Sequence, residues 1–136
     1  MSKANRNTLG RLLAFASLAE VGTGLLLMFD PAIVVQLLIG VDVSGVAILL
    51  GRCFGVAMLT LGVACWPSGL RGEAGSSAFR GMLMYNLLIV LYLAFLGIVR
   101  HLGGVLLWPA VALHAAVALL LVRTWRDARR TIVTGR

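Results

Sequence analysis

The sequence has 136 residues, of which 60% are apolar and 12% are charged, and its mean hydropathy is +0.99. A soluble domain has about 45–50% apolar and about 25% charged residues. The composition therefore excludes an ordinary water-soluble enzyme, a disordered protein and a disulfide scaffold. Because the length corresponds to one domain, we expect a single integral membrane domain over residues 1–136.

Four apolar segments are long enough to cross a bilayer, whose hydrocarbon core of about 30 Å needs roughly 20 helical residues. They cover residues 9–29, 46–66, 81–99 and 105–122. Pro31 ends the first segment, because proline keeps the preceding residue out of helical geometry, and Pro67 ends the second. Gly103 and Gly104 separate the last two. None of the segments alternates as strands do, so the sequence predicts an all-α, four-helix transmembrane bundle.

A short additional helix is predicted directly after the first span, over residues 31–39. Asp30 is a favourable N-cap residue, and Pro31 suits the first helical turn. The segment is too short to cross the membrane, so we expect it to lie at the interface on the outer face of the bundle. The alternative is a simple apolar connector.

The basic residues predict the orientation of the chain. Ten of the 12 lysines and arginines lie in the N-terminal segment, the second loop and the C-terminal tail. Only Arg100 lies on the opposite side, and cytoplasmic loops are the ones enriched in Lys and Arg. Both termini should therefore face the cytoplasm, where anionic lipids attract them. The sequence has no nucleic-acid-binding motif, so the positive charge does not point to a nucleic-acid partner.

Ionisable side chains inside a membrane are costly and are functional candidates that need partners. The spans contain Glu20, Arg52 and His114, together with the polar residues Tyr92 and Asn86. Counting about 1.5 Å per residue from the outer ends gives depths of about 13–14 Å for Glu20 and His114, about 9 Å for Arg52 and about 10–11 Å for Tyr92. These four residues belong to four spans, so they should meet in the outer half of the membrane. Asn86 should lie deeper, together with Tyr85.

The simplest arrangement of these residues is an ion pair between Glu20 and Arg52, with His114 and Tyr92 completing its hydrogen bonds. Such a pair could serve only to specify helix packing. Alternatively, the residues line a polar pocket in which Arg52 binds a lipid-like or anionic ligand while Glu20 and His114 titrate. The predicted ligand-binding residues are Glu20, Arg52, His114, Tyr92 and Asn86.

Catalysis and a bound cofactor are not favoured by the sequence. His101 lies at the outer boundary and His114 lies midway, so the two are not level enough for a haem. No set of three or four metal ligands is present, and no Ser-His-Asp arrangement can be identified. We therefore expect a non-enzymatic protein with no cofactor and no metal. Its expected partners are the bilayer lipids and a small ligand, with a second copy or a larger membrane complex as alternatives.

Two stretches and the overall plan resemble the small four-helix bacterial inner-membrane proteins called DoxX-like. The stretches are Gly51–Gly62 in the second span and Trp108–His114 in the fourth, and a proline-led outer segment follows the first span. The resemblance implies a compact bundle in the bacterial inner membrane, with an intramembrane polar pocket and no assigned activity.

A shorter stretch, Leu18–Thr23, is similar to the first span of small multidrug resistance transporters. In that family a membrane-embedded glutamate exchanges protons for cationic drugs, which implies the same role for Glu20. This gives one alternative function, a proton-coupled transporter. A second alternative is a structural accessory subunit of a membrane complex. Those transporters are shorter and lack a second-span arginine, and an arginine beside Glu20 would repel a cationic substrate.

Overall fold

A computed structural model of the chain describes residues 3–67 and 75–134. Within these ranges the chain forms five helices and no strand, which confirms the predicted fold class. The helices are α1 (Lys3–Phe29), α2 (Pro31–Ile39), α3 (Val46–Ala64), α4 (Ser77–Ile98) and α5 (Leu107–Thr134). Four of them are long and apolar enough to cross a membrane, over Asn7–Phe29, Val46–Ala64, Ser77–Ile98 and Leu107–Asp127. The protein is thus a multi-pass membrane protein.

Local capping produces α2, as the sequence predicts. The Oδ1 atom of Asp30 accepts a hydrogen bond from the backbone N–H of Ile33 at 3.1 Å, and Pro31 occupies the first turn. Gly40 ends the helix in the left-handed conformation, with φ of 80°. Glycine adopts this conformation without the steric cost of a Cβ atom.

All four predicted spans differ from the observed helices at one end or both, and two of these differences have identifiable reasons. Helix α4 begins at Ser77 rather than residue 81, because the Ser76 hydroxyl caps it by accepting from the N–H of Phe79 at 3.2 Å. Helix α5 begins at Leu107 rather than residue 105, since the N–H of Leu106 is bonded to the Leu37 carbonyl at 2.8 Å. It also continues to Thr134, past the membrane.

The first helix pair, α1 and α3, is held together by glycines. A Cβ atom on Gly24 would lie 2.8 Å from the Gly55 carbonyl oxygen, and one on Gly62 would lie 2.7 Å from the Ser17 carbonyl oxygen. Backbones that approach this closely gain dispersion contacts which larger side chains would prevent.

The second pair, α4 and α5, meets the first mainly through α1, and two apolar clusters form at the two ends of the bundle. One lies toward the chain termini and includes Leu13, Phe79 and Leu121. The other lies toward α2 and includes Leu93, Leu96 and Leu107. We refer to the side that carries α2 and the α4–α5 connection as the α2 end. The connection at residues 68–74, which carries part of the basic charge used to predict orientation, lies outside the described residues.

Backbone hydrogen bonds fix α2 to the α4–α5 connection. The N–H of Gly104 donates to the Leu38 carbonyl at 3.1 Å, next to the bond from Leu106 to Leu37. A side chain on Gly104 would collide with the Leu37 carbonyl, so this position needs glycine. Two carbonyls at the end of α2, those of Leu37 and Leu38, are thereby hydrogen-bonded within the protein.

We expect Gly24→Ala to lower the free energy of unfolding by about 1–3 kcal/mol, the usual cost of overpacking a tight contact. Gly22→Ala is the matched control on the same helix, because a Cβ at Gly22 meets nothing within 4 Å. Denaturant titration of both variants in mild detergent measures the difference. Equal stability of the two variants would contradict the close contact between α1 and α3.

Candidate functional site

The buried face of α1 carries two polar residues at the level between the apolar clusters. Glu20 is 2% exposed and Ser17 is 0% exposed. They are three residues apart, so they lie on the same face of the helix, one turn from each other. This face is buried because it continues the row of Leu9, Leu13 and Gly24 at helical spacing.

The Tyr85 side chain on α4 reaches the Glu20 carboxyl, and its hydroxyl can donate a hydrogen bond to that carboxyl. This contact joins the first helix pair to the second. Among the described side chains, no Lys or Arg forms an ion pair with Glu20.

Asn86 and His114 form a second polar contact, between α4 and α5. The Asn86 amide donates from Nδ2 to the Met82 carbonyl at 2.8 Å, which leaves Oδ1 facing His114 Nδ1 at 2.9 Å. Because Oδ1 is only an acceptor, Nδ1 of His114 carries the proton in this arrangement, and Nε2 remains available. Asn86 is 1% exposed, whereas His114 is half-buried.

The rings of Tyr85 and His114 connect these two contacts. Their centroids are 5.7 Å apart and their planes meet at 81°, an edge-to-face arrangement. We call Glu20, Tyr85, Asn86 and His114 the polar cluster. Tyr85 and His114 are only half-buried, so the cluster is partly accessible from outside the bundle.

Three of the predicted site residues come together, and two do not. Glu20, Asn86 and His114 belong to one layer, although Asn86 was expected to lie deeper than the other two. Tyr92 is 58% exposed and lies outside this layer. Helices α4 and α5 pack antiparallel, with Asn86 opposite His114. Asn86 lies earlier in α4 than Tyr92, so Tyr92 is not level with His114.

The predicted ion pair between Glu20 and Arg52 is wrong. Arg52 is exposed, and it has no ion pair in the described part of the chain. The reason is the rotation of α3: Gly55, Met58 and Gly62 form its buried face against α1, and this leaves Arg52 on another face. Small residues, rather than charge, set that rotation.

Tyr85 belongs to the polar cluster but is not among the site residues predicted from the sequence. Its predicted depth, counted from approximate helix ends, is nearer the cytoplasm than that of His114, whereas the two rings are in contact. Its position next to Asn86 is the sequence signal that points to it.

The cluster has the chemistry of a proton or cation site. The Glu20 carboxyl is a group that can bind a proton or, when ionised, a cation. The hydroxyl of Ser17 has no hydrogen-bond partner, so no base activates it as a nucleophile. The described residues include no group of three or more His, Cys, Asp or Glu that could hold a metal ion.

Comparison of the chain with family models, curated proteins and solved structures finds no match. The resemblances to DoxX-like proteins and to small multidrug resistance transporters therefore stay predictions.

We expect Tyr85→Phe to lower the free energy of unfolding by about 0.6–1.7 kcal/mol, the range for hydrogen bonds between membrane helices. Tyr92→Phe is the matched control, since it removes an exposed hydroxyl from the same helix. Denaturant titration in detergent of these variants, with Glu20→Gln and the double variant, isolates the Glu20–Tyr85 coupling. Equal stability of the two tyrosine variants would count against this hydrogen bond.

Proposed function

We propose that this protein is a non-enzymatic membrane protein that exchanges a proton for a small organic cation at the polar cluster. The observation that carries the proposal is the Glu20 carboxyl, which is 2% exposed and has no cationic partner in the described part of the chain. A carboxylate inside a membrane is stable only when a proton or a cation neutralises it. Proton and cation thus compete for one site.

Ser17 supports the presence of a ligand at this level. Its hydroxyl is fully buried and has no hydrogen-bond partner. An unsatisfied buried polar atom costs about 1–3 kcal/mol, so an arrangement that keeps one needs a reason. A bound ligand explains this arrangement if it forms a hydrogen bond with the Ser17 hydroxyl and also neutralises Glu20.

The position of Arg52 favours one of the two ligand hypotheses drawn from the sequence. An anionic ligand at the cluster would need the guanidinium beside Glu20, and Arg52 is on another face of α3. The same separation removes the repulsion that an adjacent arginine would exert on a cation. The geometry therefore favours the proton-coupled hypothesis at this site, and no specific observation favours a purely structural accessory role.

The two helix pairs supply a movement suited to exchange. Packing is more extensive within the α1–α3 pair and within the α4–α5 pair than between the pairs. A shift of one pair relative to the other therefore breaks few contacts, and the polar cluster lies where the pairs meet. The distribution of basic residues supports an inner-membrane location with cytoplasmic termini, where a proton gradient is available.

We expect Glu20→Gln to abolish cation uptake in proteoliposomes that have an acidic interior, with tetraphenylphosphonium as the probe. Wild-type protein should take up the cation as internal protons leave, and binding of the cation should weaken as the pH falls, because protonated Glu20 cannot neutralise it. A tetraphenylphosphonium-selective electrode and an internal pH dye measure the two fluxes.

Two further variants separate function from stability. Tyr92→Phe should transport like wild type, whereas Ser17→Ala should lose uptake without losing stability, since it removes an unpartnered hydroxyl. If wild-type vesicles neither take up nor bind tetraphenylphosphonium and related organic cations more than protein-free vesicles do, the proposal is wrong. Uptake that survives in Glu20→Gln would also contradict it.

A further inference from the structure

A second feature, distinct from the polar cluster, is the exposed Arg52 on α3. Its neighbour Gly51 packs against Pro31, and a Cβ atom on Gly51 would lie 2.7 Å from the Pro31 Cβ. Arg52 is therefore level with the junction of α1 and α2, near the α2 end of the bundle. Helical side chains lean toward the N-terminus of their helix, which directs the guanidinium of Arg52 toward that same membrane surface.

An open groove begins one helical turn below Arg52 on the same side of α3. It has a volume of about 490 Å³ and is lined by Met28, Val56, Leu59, Thr60, Val63 and Ala64. The only hydroxyl in this lining, that of Thr60, already donates to the Val56 carbonyl at 2.8 Å. The groove thus offers a predominantly apolar surface.

We propose that Arg52 and this groove form a binding site for an anionic phospholipid of the leaflet at the α2 end. The guanidinium binds the lipid phosphate, and one acyl chain lies along the groove. This site is independent of the polar cluster, because Arg52 and Glu20 do not interact.

Charge and length both favour a lipid as the occupant. Arginine forms strong, paired hydrogen bonds with phosphate, and Arg52 has no ion pair among the described residues that would compete. The carboxylate of Asp30, which lies at the same level, already accepts from the N–H of Ile33. From Arg52 to Val63 the helix rises by about 16 Å, which is close to half of the bilayer core of about 30 Å. One leaflet therefore matches the site from headgroup to chain end.

Native mass spectrometry after reconstitution with equal amounts of phosphatidylglycerol and phosphatidylcholine tests this site. Wild-type protein should retain phosphatidylglycerol preferentially. Arg52→Gln should reduce this retention about fivefold, the effect expected for one basic residue near an anionic surface. Arg100→Gln is the matched control, an exposed arginine at the same end of the bundle, and it should retain lipid like wild type.

A groove variant tests the acyl chain separately. Ala64→Phe fills the groove without changing charge, so it should reduce retention of both lipids. Unchanged retention in either Arg52→Gln or Ala64→Phe would overturn the proposal, as would equal loss of the two lipids in Arg52→Gln. A dimer in detergent that Ala64→Phe dissociates would mean that a second copy occupies the groove, and this too would overturn it. Cation uptake should persist in Arg52→Gln, so failure here is distinguishable from failure at Glu20.

Discussion

The contact between Glu20 and Tyr85 places a carboxyl group at the junction of the two helix pairs, and this group constrains the bundle. A carboxyl group in hydrocarbon has no water to satisfy it, so it must find a partner within the protein or in a ligand. Tyr85 on α4 is the side chain that reaches it, so the contact links the α1–α3 pair to the α4–α5 pair. Apolar clusters above and below the contact then fill the remaining space. A lipid-exposed leucine provides no comparable register, because leucine gains equally from lipid and from protein.

Much of the fold can be predicted from the sequence because its causes are local. Span length follows from membrane thickness, and the cap at Asp30 needs only residues 30–33. The start of α5 could not be predicted in this way, since it depends on a bond from Leu106 to Leu37, a residue far away in the chain. The start of α4 depends on a local cap, the Ser76 hydroxyl. The pattern of apolar residues, from which the span was predicted, does not reveal a capping residue.

The candidate site, like the fold, can be predicted from the sequence only where its causes are local. The cost of polar groups in lipid selects Glu20, Asn86 and His114, which the fold brings into one layer, because that rule needs no knowledge of neighbours. The same rule states that Glu20 needs a partner without identifying it, and charge alone favours Arg52. The rotation of α3 about its axis keeps Arg52 away from Glu20, and that rotation follows from the contacts of Gly55 and Gly62 with α1. Helix rotation is a property of two packed surfaces, so a single segment does not determine it.

The separation of Glu20 from Arg52 also has a consequence for function. A buried ion pair would have neutralised both groups within the protein, and neither would have been available to a ligand. Kept apart, the acid needs a proton or a cation from elsewhere, and the guanidinium needs an anion that the described residues do not supply. The cost in stability of two unpaired groups is consistent with binding sites, where proteins retain arrangements that packing alone would not favour. The two proposed sites thus have opposite charge preferences, and one lies at the centre of the bundle while the other lies at its lipid-facing edge.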